Sequence, residues 1–175
     1  MSQRKNSASV KQIAFTGLLF ATALVLSFFE SMLPVLPMMP PGIKLGLSNI
    51  VTMYALFVLG PQTGLTVAVL KSLFVFLTRG LVAASLSLAG GLTSIVCMVL
   101  LSKILHEQKN YLLLSIFGAI GHNVGQIVLA RYILSTSKLL YLLPLLVLSG
   151  VAMGVVTGIV LRSVMPYIEK LKLNS

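Results

Sequence analysis

Cationic side chains inside apolar segments are the feature of this sequence with the clearest chemical meaning. Lys71 lies within an apolar run, Arg79 follows eight residues later, and Arg131 lies near the end of another run. Lysine and arginine bind phosphate and carboxylate groups, and arginine adds a planar fork for bidentate contacts. These residues therefore predict a site for an anionic ligand.

The spacing of Lys71 and Arg79 allows two interpretations. On a continuous helix they would share a face about 12 Å apart in height, at roughly 1.5 Å per residue, and could form an inward ladder. Arg79 could equally be an interfacial anchor, because arginine readily extends its charge toward water. Lys71 comes 12 residues after Leu59 and is too deep for that explanation.

A compact polar set occupies the fifth apolar run. His122 and Gln126 are four residues apart, and Asn123 and Gln126 are three apart, so one helix face carries them. They could line a solute site, or they could form an interhelical hydrogen-bond clamp. No metal site is expected, since the only other histidine, His106, falls in a predicted loop without acidic ligands nearby.

The outer half of the predicted bundle carries more positive than negative charge. Four cations, Lys44, Lys71, Arg79 and Arg131, face one anion, Glu30, which leaves an excess of three. We expect a pocket that opens outward and binds a small anionic solute. The candidate substrate-binding residues are Glu30, Lys44, Asn49, Lys71, Arg79, His122, Asn123, Gln126 and Arg131.

The composition places these residues in a membrane protein. The chain has 175 residues, of which 57% are hydrophobic and 9% charged, whereas soluble domains carry roughly 25% charged residues. Its net charge of +10 would suggest nucleic acid in a soluble protein. Here basic residues at helix ends set topology and contact anionic lipid, so no nucleic-acid partner is expected.

Apolar runs predict an all-α, single-domain bundle of about six transmembrane helices. They are Ile13–Leu33, Leu45–Leu59, Thr63–Leu77, Leu81–Leu105, Tyr111–Leu134 and Leu139–Met165. The second and third are short and are split only by Gly60 and Pro61, so they could form one interrupted hairpin.

The distribution of lysine and arginine predicts that both termini are cytoplasmic. Eight basic residues fall on the side of the termini: Arg4, Lys5, Lys11, Lys103, Lys109, Arg162, Lys170 and Lys172. Four fall on the other side: Lys44, Arg79, Arg131 and Lys138. The chain is thus expected to have a basic N-terminus (1–12), a proline-rich outer loop (34–44) and a basic C-terminal tail (166–175).

Small residues at helical spacing predict close helix contacts. Gly150, Gly154 and Gly158 are four apart, as are Gly121 and Gly125, and Gly90 is followed by Gly91. These glycines are expected to form packing seams inside the bundle. Gly17 and Ala21, four apart on the first helix, could be a seam or a docking face for another subunit.

Missing residue types limit the possible activities. The chain contains no aspartate and no phosphate-binding loop motif, so it cannot build the magnesium site of an ATPase or a prenyltransferase. Glu30 is the only carboxylate available for ion coupling within a helix. We expect a noncatalytic, cofactor-free subunit that captures a solute and takes its energy from a partner.

Five segments carry a resemblance to a known family. They are Glu30–Ser31, Pro41–Thr52, Ser87–Leu92, Gly121–Gln126 and Leu143–Gly150. They are spread over most of the chain, which resembles the bacterial Gx transporter family, also labelled heptaprenyl diphosphate synthase component I.

The resemblance implies a six-helix substrate-binding (S) component of an energy-coupling factor transporter in the bacterial plasma membrane. Such a component works with a transmembrane coupling subunit and two cytoplasmic ABC ATPases. It docks through small residues on its first helix, a pattern that Gly17 and Ala21 match, with glycine where alanine is usual. The family's older label points to an isoprenoid or quinone precursor as the solute.

Two alternatives remain open at this stage. The chain could be a noncatalytic membrane partner of a prenyl diphosphate synthase that makes quinone side chains. It could also be a structural membrane assembly factor, which would leave Lys71 unexplained.

Overall fold

The chain folds into a helical bundle, described by a computed structural model for residues 2–32, 48–105 and 110–173. The helices are α1 (Ser2–Met32), α2 (Asn49–Tyr54), α3 (Pro61–Arg79), α4 (Leu81–Ile104), α5 (Tyr111–Leu134) and α6 (Leu143–Leu173). A π-helical turn, Ala55–Leu59, continues α2, and a 3-10 segment, Ser137–Leu142, precedes α6. The predicted all-α fold is confirmed, whereas the proline-rich loop 34–44 lies outside the described residues.

The apolar helices identify the chain as a membrane protein. Four stretches are long and apolar enough to cross a bilayer: Pro61–Arg79, Leu81–Ile104, Tyr111–Leu134 and Ser137–Ser163. Two shorter apolar helices, Ile13–Phe29 and Asn49–Leu59, accompany them. At roughly 1.5 Å per residue, Asn49–Leu59 covers about 16 Å, half of a hydrocarbon core of about 30 Å. The side of the membrane on which the termini lie stays a prediction.

Two glycines end helices by adopting backbone angles that other residues rarely reach. Gly60 has φ +102° between the π-helical turn and α3, and Gly80 has φ +84° between α3 and α4. A Cβ on Gly64 would lie 3.1 Å from Leu56 Cα, so the chain folds back on itself at Gly60. The segment split by Gly60 and Pro61 is therefore an antiparallel helix pair.

The predicted glycine seams on α5 and α6 are confirmed. A Cβ on Gly158 would lie 2.9 Å from Leu112 Cα, and one on Gly150 would lie 3.2 Å from Ile120 Cα. Gly154 fits directly against the backbone of Ile116. On the other side of α5, Gly121 and Gly125 make room for the α4 side chains of Cys97 and Thr93, respectively. Helices α4, α5 and α6 thus form a closely packed half of the molecule.

Helix α1 packs on the rest of the bundle through one narrow face. Ala23 forms a buried cluster with Val51 and Ala55 of the α2 segment and Val67 of α3. The first and last helices also continue through much of the predicted basic ends, because α1 begins at Ser2 and α6 ends at Leu173.

Candidate functional site

Lys71 is buried between α2 and α3. Its side chain is 2% exposed, and Nζ donates a hydrogen bond to Asn49 Oδ1 at 2.8 Å and another to Ser48 Oγ at 3.3 Å. Both acceptors lie at the N-terminus of α2. The lysine therefore connects that N-terminus to the middle of α3 by hydrogen bonds. Lys71 is an inward-facing cation and does not extend to the interface.

His122 and Gln126 lie on the face of α5 that meets α4. Their side chains are 3% and 2% exposed, respectively. Gly90 of α4 makes room for them, since a Cβ there would lie 2.7 Å from His122 Nδ1 and 2.9 Å from Gln126 Cγ. A larger residue at position 90 would have to displace both polar side chains.

Asn123 faces α6 and acts as an interhelical clamp. Its Nδ2 donates to Leu146 O at 2.7 Å and lies 3.4 Å from Ser149 Oγ. The clamp interpretation of the polar set therefore holds for Asn123. Its Oδ1 remains buried without a hydrogen bond to the described residues.

The glycine pair of α4 lies between the lysine and the polar set of α5. Gly91 faces α3, where a Cβ would lie 3.4 Å from Ala68 Cβ, three residues before Lys71. Gly90 faces His122 on the other side, so this pair of glycines separates the helix of Lys71 from the imidazole. The buried polar residues on the two sides of this glycine pair are here called the polar layer. They are Ser48, Asn49, Lys71, His122, Asn123 and Gln126.

Several buried atoms in or beside the polar layer have no hydrogen-bond partner among the described residues. They are Thr52 Oγ1, His122 Nδ1, Asn123 Oδ1 and Gln126 Oε1. An unsatisfied buried polar group costs about 1–3 kcal/mol, and native proteins contain few of them. The layer therefore offers several hydrogen-bonding positions to a solute or to water.

The predicted arginines do not join the polar layer. Arg79 is exposed as the last residue of α3, and Arg131 is exposed in the last turn of α5. At about 100° per residue, Arg79 is rotated by about 80° from Lys71, so a straight helix does not present both on one face. The inward ladder is not formed, and the exposed position of Arg79 at a helix end favours its interpretation as an interfacial anchor.

Two further predicted residues cannot be placed in the site. Glu30 belongs to α1, but its side chain lies outside the described part of the structure, and Lys44 lies in the undescribed segment 33–47. Their roles as solute contacts stay predictions.

Sequence reasoning did not assign Ser48 or Gly90 to the site. Ser48 immediately precedes Asn49 and lies within the motif Pro41–Thr52, and these two signals point to it. The Gly90–Gly91 pair predicts a packing seam, and the structure shows that the atoms packed against Gly90 belong to His122 and Gln126.

A family model described as heptaprenyl diphosphate synthase component I matches residues 19–164. The chain belongs to the heptaprenyl diphosphate synthase component I family. The match contains the whole polar layer and confirms the label that the sequence motifs suggested. No curated protein and no solved structure matches the chain. The likeness to S components of energy-coupling factor transporters stays a prediction.

Proposed function

We propose that this member of the heptaprenyl diphosphate synthase component I family is the solute-binding subunit of an energy-coupling factor uptake transporter. The polar layer binds a small anionic, partly lipophilic solute, such as an isoprenoid or quinone precursor. The observation that carries this proposal is a fully buried lysine beside polar atoms that have no partners among the described residues.

The polar layer would lower the stability of the folded protein if its only role were packing. A charged side chain within a bilayer is unfavourable, and replacing buried polar networks by apolar residues is often neutral or stabilising. Solute binding would explain the layer, because an anion can balance the charge of the lysine and satisfy neighbouring polar atoms. An ammonium group selects an anion for this position.

Apolar residues adjoin the layer and support a partly lipophilic solute. Leu86, Ile127 and Leu146 belong to one buried cluster. Leu86 is one turn from Gly90 on α4, Ile127 follows Gln126, and Leu146 accepts the hydrogen bond of Asn123. An anionic head at Lys71 would therefore have hydrocarbon side chains nearby to receive an apolar body.

The open face of α1 supports a partner that supplies energy. Gly17 and Ala21 are both exposed, and a Cβ on Gly17 would meet no described atom within 4 Å. The pair is therefore not a seam between described parts of the bundle. We assign it to docking of a transmembrane coupling subunit, which works with cytoplasmic ABC ATPases in the bacterial plasma membrane.

The name of the family favours a second candidate function. It describes one component of a synthase, so the chain would be a noncatalytic membrane partner of a heptaprenyl diphosphate synthase that makes quinone side chains. In that function the polar layer would hold the diphosphate group or a related anion.

Co-purification from native membranes in mild detergent separates the two functions. Mass spectrometry of the purified complex should identify ABC ATPases and a membrane coupling subunit. Recovery of a soluble, aspartate-rich prenyltransferase in their place would support the second function and contradict the first.

A further inference from the structure

A separate chamber lies at the start of α3, whereas Lys71 of the polar layer lies in the middle of that helix. It is a cavity of about 390 Å³ lined by Leu56, Phe57, Gly60, Pro61, Val99, Ser102, Lys103 and Tyr111. Pro61 and Lys71 are ten residues apart on α3, which corresponds to roughly 15 Å along the helix. The cavity is therefore a separate site.

The π-helical turn shapes one wall of this cavity. Leu56 and Phe57 belong to that turn, and the positive φ of Gly60 lets the chain reverse beneath them. Phe57 also meets the ring of Tyr111 edge-on, with ring centroids 5.7 Å apart. Short π-helical turns in proteins frequently occur at functional sites.

The residues that line the cavity include both apolar and polar side chains. Leu56, Phe57 and Val99 provide apolar lining, whereas Ser102 and the exposed Lys103 provide polar lining. Helices α3 and α5 begin at the lining residues Pro61 and Tyr111, whereas α4 ends at Ile104. Positive and negative ends of helix dipoles therefore both lie at the cavity, and Lys103 supplies its positive charge.

We propose that this cavity binds the phosphate-bearing head of an anionic amphiphile. The phosphate lies beside Lys103, and the first part of the hydrocarbon chain lies against Leu56, Phe57 and Val99. The volume is within the range of about 300–1,000 Å³ that small-molecule sites occupy. A phospholipid of the bilayer and a prenyl diphosphate delivered from the aqueous phase share this chemistry.

The predicted orientation of the chain agrees with either source. Lys103 belongs to the basic residues predicted on the cytoplasmic side, where anionic lipid heads attract lysine and arginine. The proposal does not depend on uptake, because the cavity and the polar layer have no lining residue in common.

Native mass spectrometry of the detergent-purified full chain tests the proposal with four probes. Two are anionic, dioleoylphosphatidylglycerol and farnesyl diphosphate, and two are their neutral or zwitterionic counterparts, farnesol and dioleoylphosphatidylcholine. We expect retention of at least one anionic probe, and roughly tenfold weaker retention by Lys103→Gln. Lys138→Gln, which removes an exposed lysine outside the cavity, should retain the probe as the wild type does.

Two further variants separate this site from others. Ser102→Phe should fill the cavity and abolish retention, whereas Leu100→Phe, which enlarges an exposed side chain of α4 outside the cavity, should leave retention unchanged. Retention of phosphatidylglycerol alone would identify the ligand as a membrane lipid, and retention of farnesyl diphosphate alone would identify a prenyl diphosphate. Equal retention of anionic probes and their counterparts, or equal effects of Lys103→Gln and Lys138→Gln, would overturn the proposal.

Discussion

The α4–α6 half of the molecule and the outer face of α1 use small residues in opposite ways. On α6, Gly154 lies against the backbone of Ile116, so even a methyl group has no room. On α1, Gly17 has the same four-residue spacing to a small neighbour, yet no described atom lies within 4 Å of its added Cβ. The spacing alone does not distinguish a packing seam from an open face.

Close packing and an exposed contact surface therefore lie in separate parts of the bundle. Close contacts along α4, α5 and α6 fix the positions of His122, Asn123 and Gln126. Helix α1 leaves an open face that a second membrane subunit can contact without disturbing the polar layer. The variants below test this division in order of decreasing expected effect.

Gly154→Leu should have the largest effect, because its side chain would overlap the α5 backbone at Ile116. Overpacking typically costs about 1–3 kcal/mol and more where backbone must move. We expect loss of most folded protein, measured as the monodisperse yield in detergent and the Tm of what remains. A yield and Tm equal to those of the wild type would show that α5 and α6 do not pack as described.

Gly90→Ala should disturb the polar layer more than the fold. Its Cβ would lie 2.6 Å from His122 Cε1, so the imidazole must move. We expect roughly tenfold less small anion retained in native mass spectrometry, with a small change in Tm. Gly91→Ala is the matched control, since its Cβ would make an ordinary contact with Ala68 Cβ at 3.4 Å. Equal anion retention in both variants would contradict a site beside His122.

Asn123→Leu should lower stability modestly by removing the hydrogen bond to Leu146 O. Such bonds between membrane helices contribute about 0.6 kcal/mol on average and up to about 1.7. The Tm in detergent should fall for Asn123→Leu but not for Gln126→Leu, whose Oε1 has no hydrogen bond among the described residues. A larger fall in Tm for Gln126→Leu than for Asn123→Leu would show that Gln126, and not Asn123, forms the interhelical clamp.

Gly17→Leu should have the smallest effect on stability, within about 0.5 kcal/mol, as is usual for exposed positions. It should nevertheless reduce co-purification of the coupling subunit, because the added side chain would hold the helices apart. An unchanged yield of the complex would remove Gly17 from the docking surface.

Much of the fold follows from the sequence because long apolar runs and glycine breaks have direct structural consequences. The predicted helices at Leu81–Leu105 and Tyr111–Leu134 agree with α4 and α5 to within one residue. The burial of Lys71 follows from its depth in an apolar run. In contrast, the π-helical turn at Ala55–Leu59 has no distinct sequence signal.

The site is harder to predict, because the positive charge of a side chain does not determine whether it faces the inside of the bundle or the outside. Arg79 and Lys71 are both cations on α3, but only Lys71 is far enough from a helix end to be enclosed. Its contact with Ser48 and the fit of Gly90 against His122 depend on how separate helices meet. No spacing within one helix determines such contacts.

Anion retention by wild-type protein and Lys71→Met tests the central claim most directly. Native mass spectrometry of both proteins, purified in the same detergent, should show a small anion bound to the wild type. It should be absent from Lys71→Met, which we expect to remain folded because methionine suits an apolar environment, while Lys138→Met should retain it. Equal retention by wild type and Lys71→Met would contradict a solute site in the polar layer.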